Sequence, residues 1–246
     1  RTLQYDKSVA AFDRAIAKGK GLTGNYGKAL SLLDSGKYEL AQIAIDRAIA
    51  AVPANKRANY YYFWRHKSWS FRELEKYDDA LKSINIAIEL EPNDLILRNE
   101  KAVILSESKK YIEAISILTD LIRTKPEAYA YNNQGNAKFA LGNKQEAISD
   151  FDRALAINPQ YVEAYYNRGK AKSALGNKQG AIGDYDRALA INPQLVEAYN
   201  NRGNSKSDLG NKQGAIGDYD RALAIDPQLV RASDDRGKAK YALGNN

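Results

Sequence analysis

The chain has 246 residues, 44% hydrophobic and 27% charged, with a net charge of +7 and a pI near 9.3. It contains no cysteine and a single histidine, His66, which excludes disulfides, zinc–thiolate sites, cysteine nucleophiles and any mechanism needing two imidazoles. No apolar run reaches the roughly 18–20 residues that span a bilayer, so membrane insertion is not expected.

Arg1 opens directly into a polar, helix-forming stretch with no signal-like segment, and a cytoplasmic location is expected. With a start at Arg rather than Met, a fragment of a longer protein is expected. Residues 1–21 read as a lone helix, whose FDRAIA at 12–17 is echoed by FDRALA at 151–156. The next glycines, Gly19 to Gly24 (GKGLTG), have the pattern of a dinucleotide-binding turn. That turn must follow a strand and open a helix inside a βαβ unit. Here it follows a helix, and it reads as a flexible turn between helix pairs. Gly27-Lys28 lacks the spacing and the Ser/Thr of a phosphate loop.

Further along, Ala41, Ile45, Ala48 and Pro53 mark one helix, Ala80, Ile84, Ala87 and Pro92 a second, and Ala114, Leu118 and Pro126 a third. From Gly142 onward the same pattern becomes explicit. GNKQEAISDFDRALAINPQYVEAYYNRG returns from Gly176 and again from Gly210 with few changes. Gly135, Gly169, Gly203 and Gly237 are spaced 34 apart, as are Pro159, Pro193 and Pro227. Within 162–195, Gly169 and Ala181 are small where two antiparallel helices must approach closely, and Tyr185 is large where a gap needs filling. Gly176 suits a left-handed helix end, and Pro193 stops the second helix. Two irregularities interrupt the stride: extra residues at 54–60 (ANKRANY), and a one-residue deletion after Pro126.

A period of 34 with Tyr165, Gly169, Ala181, Tyr185, Ala188 and Pro193 at these offsets resembles the tetratricopeptide repeat. The phrasing NRGxAKxxLGNKQxAIxDYDRA is similar to bacterial, especially cyanobacterial, arrays. The resemblance implies an all-α fold, a right-handed superhelical α-solenoid of helix–turn–helix repeats. Full repeats are expected at 22–60, 61–94, 95–127, 128–161, 162–195 and 196–229. Half repeats are expected at 1–21 and 230–246, with the whole of 1–246 forming a single array.

Carboxylates such as Asp184, Asp186, Asp218 and Asp220 recur with the repeat, as an active site does not. Arg168 with Asp184, and Arg202 with Asp218, are expected as partly buried ion pairs joined by Lys172 and Lys206. Gln134 is expected to face Asp150. No catalytic residue, metal ligand or cofactor is assigned, and the chain is read as not an enzyme.

In the tetratricopeptide family the first helices line a groove where partners bind, at roughly the second, fifth, sixth, ninth and twelfth places of each repeat. Those places hold Tyr26, Leu30 and Leu33, then Tyr62, Arg65, His66, Trp69 and Arg72, then Ile96, Asn99 and Val103. Trp64 falls at the packing position. Tyr, Trp and Arg are the types that dominate binding hot spots. The N-terminal half therefore reads as an apolar, aromatic and cationic groove suited to a segment with hydrophobic anchors and acidic residues. Packing of Trp69 against 54–60 is the alternative.

The later repeats present Tyr129, Asn133 and Asn136, then Tyr166, Asn167 and Lys170, then Asn201. Asn133, Asn167 and Asn201 form an expected ladder that could hydrogen-bond the main chain of an extended peptide. Glu197 and Asp235 conflict with the Lys/Asn/Asn/Lys/Arg set by which chaperone-binding members grip a carboxylate. The expected function is a non-catalytic scaffold that docks a protein or peptide segment, mainly on residues 22–107. Nucleic-acid binding through the basic surface is a weaker alternative, because the cations are locked near aspartates. Service as the recruitment or regulatory module of a larger enzyme or signalling protein is another, and self-association through the terminal half repeats is a further expectation.

Overall fold

The structure, a computed structural model, describes residues 2–244; Arg1, Asn245 and Asn246, at the ends of the two half-repeat windows, lie outside the described residues. Among the described residues it holds fourteen α-helices, one 3-10 helix and no strand. The helices are α1 (Thr2–Ala17), α2 (Gly21–Asp34), α3 (Tyr38–Ala50), α4 (Tyr61–Glu73), α5 (Tyr77–Leu90), α6 (Leu95–Glu107) and α7 (Tyr111–Thr124). They continue as α8 (Ala128–Ala140), α9 (Lys144–Ile157), α10 (Val162–Ala174), α11 (Lys178–Ile191), α12 (Val196–Asp208), α13 (Lys212–Ile225) and α14 (Val230–Ala242). By compactness the chain divides into two units, residues 1–117 and 118–246, with the division inside α7.

In the first unit, α2 packs on α3 and α4 on α5. Ala41, Ala44, Ile45 and Ala48 repeat at helical spacing along α3 and are all buried. They meet Ala29, Leu32 and Leu33 of α2 in one core cluster. Leu33 is only 2% exposed, so it belongs to this core and not to the groove face expected from its place in the repeat. Phe63 is the fully buried aromatic of α4, while Trp64 is partly buried between the two core clusters of the unit. The extra residues fold as a 3-10 helix, Ala54–Tyr60, directly before α4. Tyr60 packs its ring on Phe63 with centroids 5.3 Å apart, which draws Phe63 into the core. The GKGLTG glycines divide between a short turn, with Gly19 at φ +82, and the first turn of α2.

The second unit repeats one recipe three times. α8 packs on α9, α10 on α11 and α12 on α13. A Cβ placed on Gly169 would lie 2.7 Å from the Tyr185 ring, and Gly135 and Gly203 meet Phe151 and Tyr219 in the same way. The first helix is therefore glycine where the second helix lays an aromatic ring across it. Gly176 at φ +85 reverses the chain after α10. Its N–H donates to Ser173 O and that of Asn177 to Lys172 O, satisfying the last carbonyls of the helix.

Ion pairs cross each of the later helix pairs. Arg168 makes a bidentate contact with Asp184, with hydrogen bonds of 2.9 and 2.5 Å, and Lys172 adds a third cationic contact at 2.8 Å. Arg202, Lys206 and Asp218 repeat it. Arg168 also reaches back to Asp152 of α9 at 2.6 Å, tying neighbouring pairs together. Gln134 departs from expectation: its amide donates to Thr119 of α7 at 2.8 Å rather than facing Asp150. Asp150 has Lys138 at 2.7 Å as its ion-pair partner, and burial pushes its carboxyl above the usual range.

Candidate functional site

The first helices of successive pairs present their fifth and sixth places to one another. Each repeat is counted from residues 22, 61, 95, 128, 162, 196 and 230. Within each unit the fifth residue of one then meets the sixth of the next. In the first unit the Tyr26 hydroxyl lies 2.9 Å from His66 Nδ1, which also lies 2.8 Å from the Tyr62 carbonyl oxygen. Arg65 donates to both carboxylate oxygens of Glu100, with Nε at 2.9 and 3.0 Å. In the second unit Asn167 Nδ2 donates to Asn132 Oδ1, and Asn201 Nδ2 to the Tyr166 hydroxyl, each at 3.1 Å. Each unit thus has its own polar rungs, built from different chemistries.

These rungs revise the expected asparagine ladder. Asn167 and Asn201 spend an amide hydrogen on the preceding repeat, so this part of the side chain is committed within the fold. Asn133, Asn99 and Tyr129 are partly buried and also have partners of their own. One further rung is chemically mismatched. Asn200 holds the fifth place and is 5% exposed, and its Oδ1 is buried with no hydrogen-bond partner among the described residues. The sixth place of the following repeat is Asp235, a carboxylate where Asn167 and Asn201 offer an amide donor.

Each unit also has a cleft, lined in part by these same rung residues. That of the first unit, about 300 Å³, is lined by Arg65, His66, Ser68, Trp69, Arg72, Glu100 and Ile104. Tyr26, Tyr62 and Phe63 form an aromatic cluster behind it, and Trp69 lies 6.4 Å from His66, centroid to centroid. Burial, with Arg65 nearby, lowers the His66 imidazole below its ordinary pKa, so it is neutral at pH 7. The Trp69 indole N–H and the Arg72 guanidinium both donate to Glu73 Oε1, at 3.0 and 2.7 Å. Arg72 also stands 3.6 Å from Glu107. The expectation of a cationic groove is therefore corrected: both arginines are already engaged, one by Glu100 and the other by Glu73 and Glu107. Tyr26 and Leu30 are partly buried against the core and Tyr62 lies beside them.

The second unit's cleft is wider, about 680 Å³, and is lined by Phe139, Tyr185 and Tyr219 together with Lys170, Lys178, Lys212 and Lys238. Lys178 pairs with Asp208 at 2.7 Å and Lys238 with Asp235 at 3.3 Å. Lys212 instead donates to Ser207, and Lys170 sits over the rings of Tyr166 and Phe139 at 5.4 and 5.7 Å. Neither has a carboxylate within ion-pairing distance among the described residues. Asn136 is exposed and does not line this cleft.

The structure thus brings Arg65, His66, Trp69 and Arg72 together, and separately Lys170 with Asn201. It adds Glu100, Glu73, Glu107 and Ile104 to the first group and Lys178, Lys212 and Lys238 to the second. A signal for the acids existed: Glu100 stands 35 residues after Arg65, the offset that also joins Asn132 to Asn167 and Tyr166 to Asn201. Among the described residues no group of His, Cys, Asp or Glu is placed to hold a metal ion, and no helix is long and apolar enough to cross a membrane.

Family models described as tetratricopeptide repeat match residues 26–62 and 67–130, and 162–195 and 196–229, and a further TPR-repeat model matches 135–176. No curated protein matches the chain. Among solved structures, the APC/C hetero-tetramer Cut9–Hcn1 superposes with a TM-score of 0.74 at 17% identity, covering 96% of this chain and 46% of that one. TTC0263, a thermophilic TPR protein of Thermus thermophilus, has a TM-score of 0.64 at 20% identity over 74% of this chain and 99% of its own. YrrB, a TPR protein with an unusual peptide-binding site, has a TM-score of 0.55 at 17% identity over 79% of this chain and 98% of its own. With helix pairs of this kind along its length and repeat models matching most of it, the chain belongs to the tetratricopeptide-repeat family.

Proposed function

We propose that the chain is a non-catalytic scaffold that docks a segment of another protein on its first-helix faces, principally through the cleft around Trp69. The observation that carries this reading is the placement of Trp69. It is a large aromatic only partly covered by the core, held by one hydrogen bond to Glu73, and it forms the wall of a cleft. Rigid aromatic surface of this kind supplies binding energy at small entropic cost, because the helices fix it in advance. Arg65 is held by Glu100 and Arg72 by Glu73, which fixes the charged rim of the cleft in advance of binding. YrrB, of like fold, is a precedent for a peptide-binding site in such an array.

The test is a pull-down from native lysate with the full chain, a Trp69→Ala/Arg72→Ala double variant, and Leu40→Ser on α3, where Leu40 is 53% exposed. A partner held by the wild type and by Leu40→Ser, but lost from the double variant, is the expected outcome. Equal retention by all three would remove the cleft from the function.

A further inference from the structure

The occupant of the first unit's cleft can be specified from its charges, a step that rests on the docking reading above. Two arginines, Arg65 and Arg72, face three carboxylates, those of Glu73, Glu100 and Glu107. Glu100 is saturated by the Arg65 fork, and Glu73 accepts from both Arg72 and Trp69. Glu107 is different. Its side chain is 41% exposed, and its nearest cation is Arg72 Nε at 3.6 Å, too long for a hydrogen bond. It is the last residue of α6, as Glu73 is of α4, so both acids sit at helix ends that already carry negative dipole charge. Partial burial raises its pKa, Arg72 opposes the rise and the Glu73 carboxylate adds to it. Trp69 and Ile104 line the cleft, and Glu107 follows Ile104 by one turn of α6 at its edge.

We infer that this cleft receives a lysine or arginine side chain from the partner segment, its aliphatic stem against Trp69 and Ile104 and its cationic head on Glu107. A cation over an indole face gains from the ring quadrupole as well as from the carboxylate. An acidic side chain would meet an excess of negative charge, with both arginines already occupied. The sequence alone, which shows Arg65 and Arg72 in the groove but not what they hold, points to the opposite partner.

The experiment is selection of a random dodecapeptide display library on the full chain, followed by titration of the enriched peptides against wild type, Glu107→Gln, Trp69→Ala and Lys170→Gln. Folding of each variant is checked by circular dichroism. The expected result is enrichment of Lys- or Arg-bearing peptides. Their affinity should fall about fivefold in Glu107→Gln and about tenfold in Trp69→Ala, and should be unchanged in Lys170→Gln. Acidic or uncharged consensus peptides, or basic peptides indifferent to Glu107→Gln, would overturn the inference while leaving the docking reading intact. Failure to enrich any peptide would overturn both.

Discussion

The two units solve one packing problem with different residues. At the equivalent places of the repeat the first unit has buried Ala29 and Ser68 on its first helices, and buried Ile45 and Ile84 on its second. The second uses Gly135, Gly169 and Gly203 under Phe151, Tyr185 and Tyr219. Volume lost on one helix is restored on the other, as close packing requires. Their cleft faces diverge as well: the two arginines beside Trp69 contact three glutamates, of which Glu100 lines the cleft and Glu73 and Glu107 adjoin it, whereas four lysines face two aspartates in the second cleft. The helix pair is thus a constant frame, and the charge of its inner face varies from unit to unit.

The packing half of that comparison is the easiest to break. Gly169→Ala places a methyl group 2.7 Å from the Tyr185 ring and is expected to destabilise the fold by about 2 kcal/mol in urea denaturation. Adding Tyr185→Ile, the first unit's solution, should recover part of that loss, so that the two substitutions are less than additive. Independent, additive effects would show that the two residues do not share one space.

The helix ends differ too. The second unit turns after its first helices at Gly142, Gly176 and Gly210, while the first unit has a glycine there only after α2, at Gly36, and holds Glu75 and Lys109 at φ +56 and +63. Side chains are strained in that left-handed region. Glu75→Gly and Lys109→Gly are each expected to stabilise the chain by about 1 kcal/mol, read from thermal unfolding. No gain would mean that contacts of those side chains offset the strain.

The mismatched rung is expected to respond on a similar or slightly smaller scale. Asp235→Asn supplies the missing donor for Asn200 Oδ1 and should raise stability by about 0.5–1.5 kcal/mol, with amide exchange slowing in α12 and α14. Loss of stability would show that Asp235 is held by Lys238 more strongly than the rung requires.

The smallest effect concerns the Tyr26–His66 rung. The His66 pKa is depressed in the folded chain, so its contribution is present above the unfolded value near 6.5 and is lost as pH falls through and below it. Glu100 and Asp34 pull the imidazole the other way, and Arg65 reinforces the depression. Comparing melting temperatures at pH 7 and pH 5.5, the wild type should lose more than His66→Asn, which carries the second unit's residue at that place. Equal losses would assign the pH response elsewhere.

Much of the fold is legible in the sequence because it rests on local periodicity. Small and large residues at a stride of 34 can be read without coordinates, and so could the Arg168–Asp184 pairing, since both ends recur together. The site was less legible. Leu33 and Asn167 stand at groove places by count, yet one is core and the other bonds back to Asn132. The count fixes where a side chain is attached to its helix and leaves open what the next helix brings to it.

By itself, then, the sequence determined the helices, their pairing and the family, because these follow from spacing within a single repeat. Only the tertiary structure decided that Glu100 neutralises Arg65, that Glu107 is left with a distant cation, and that Asn200 is stranded beside the place of Asp235. Each of those outcomes depends on two residues about one repeat apart meeting across stacked helices. Hydrogen bonding and charge are satisfied between such neighbours, and the pattern within one repeat carries no record of it.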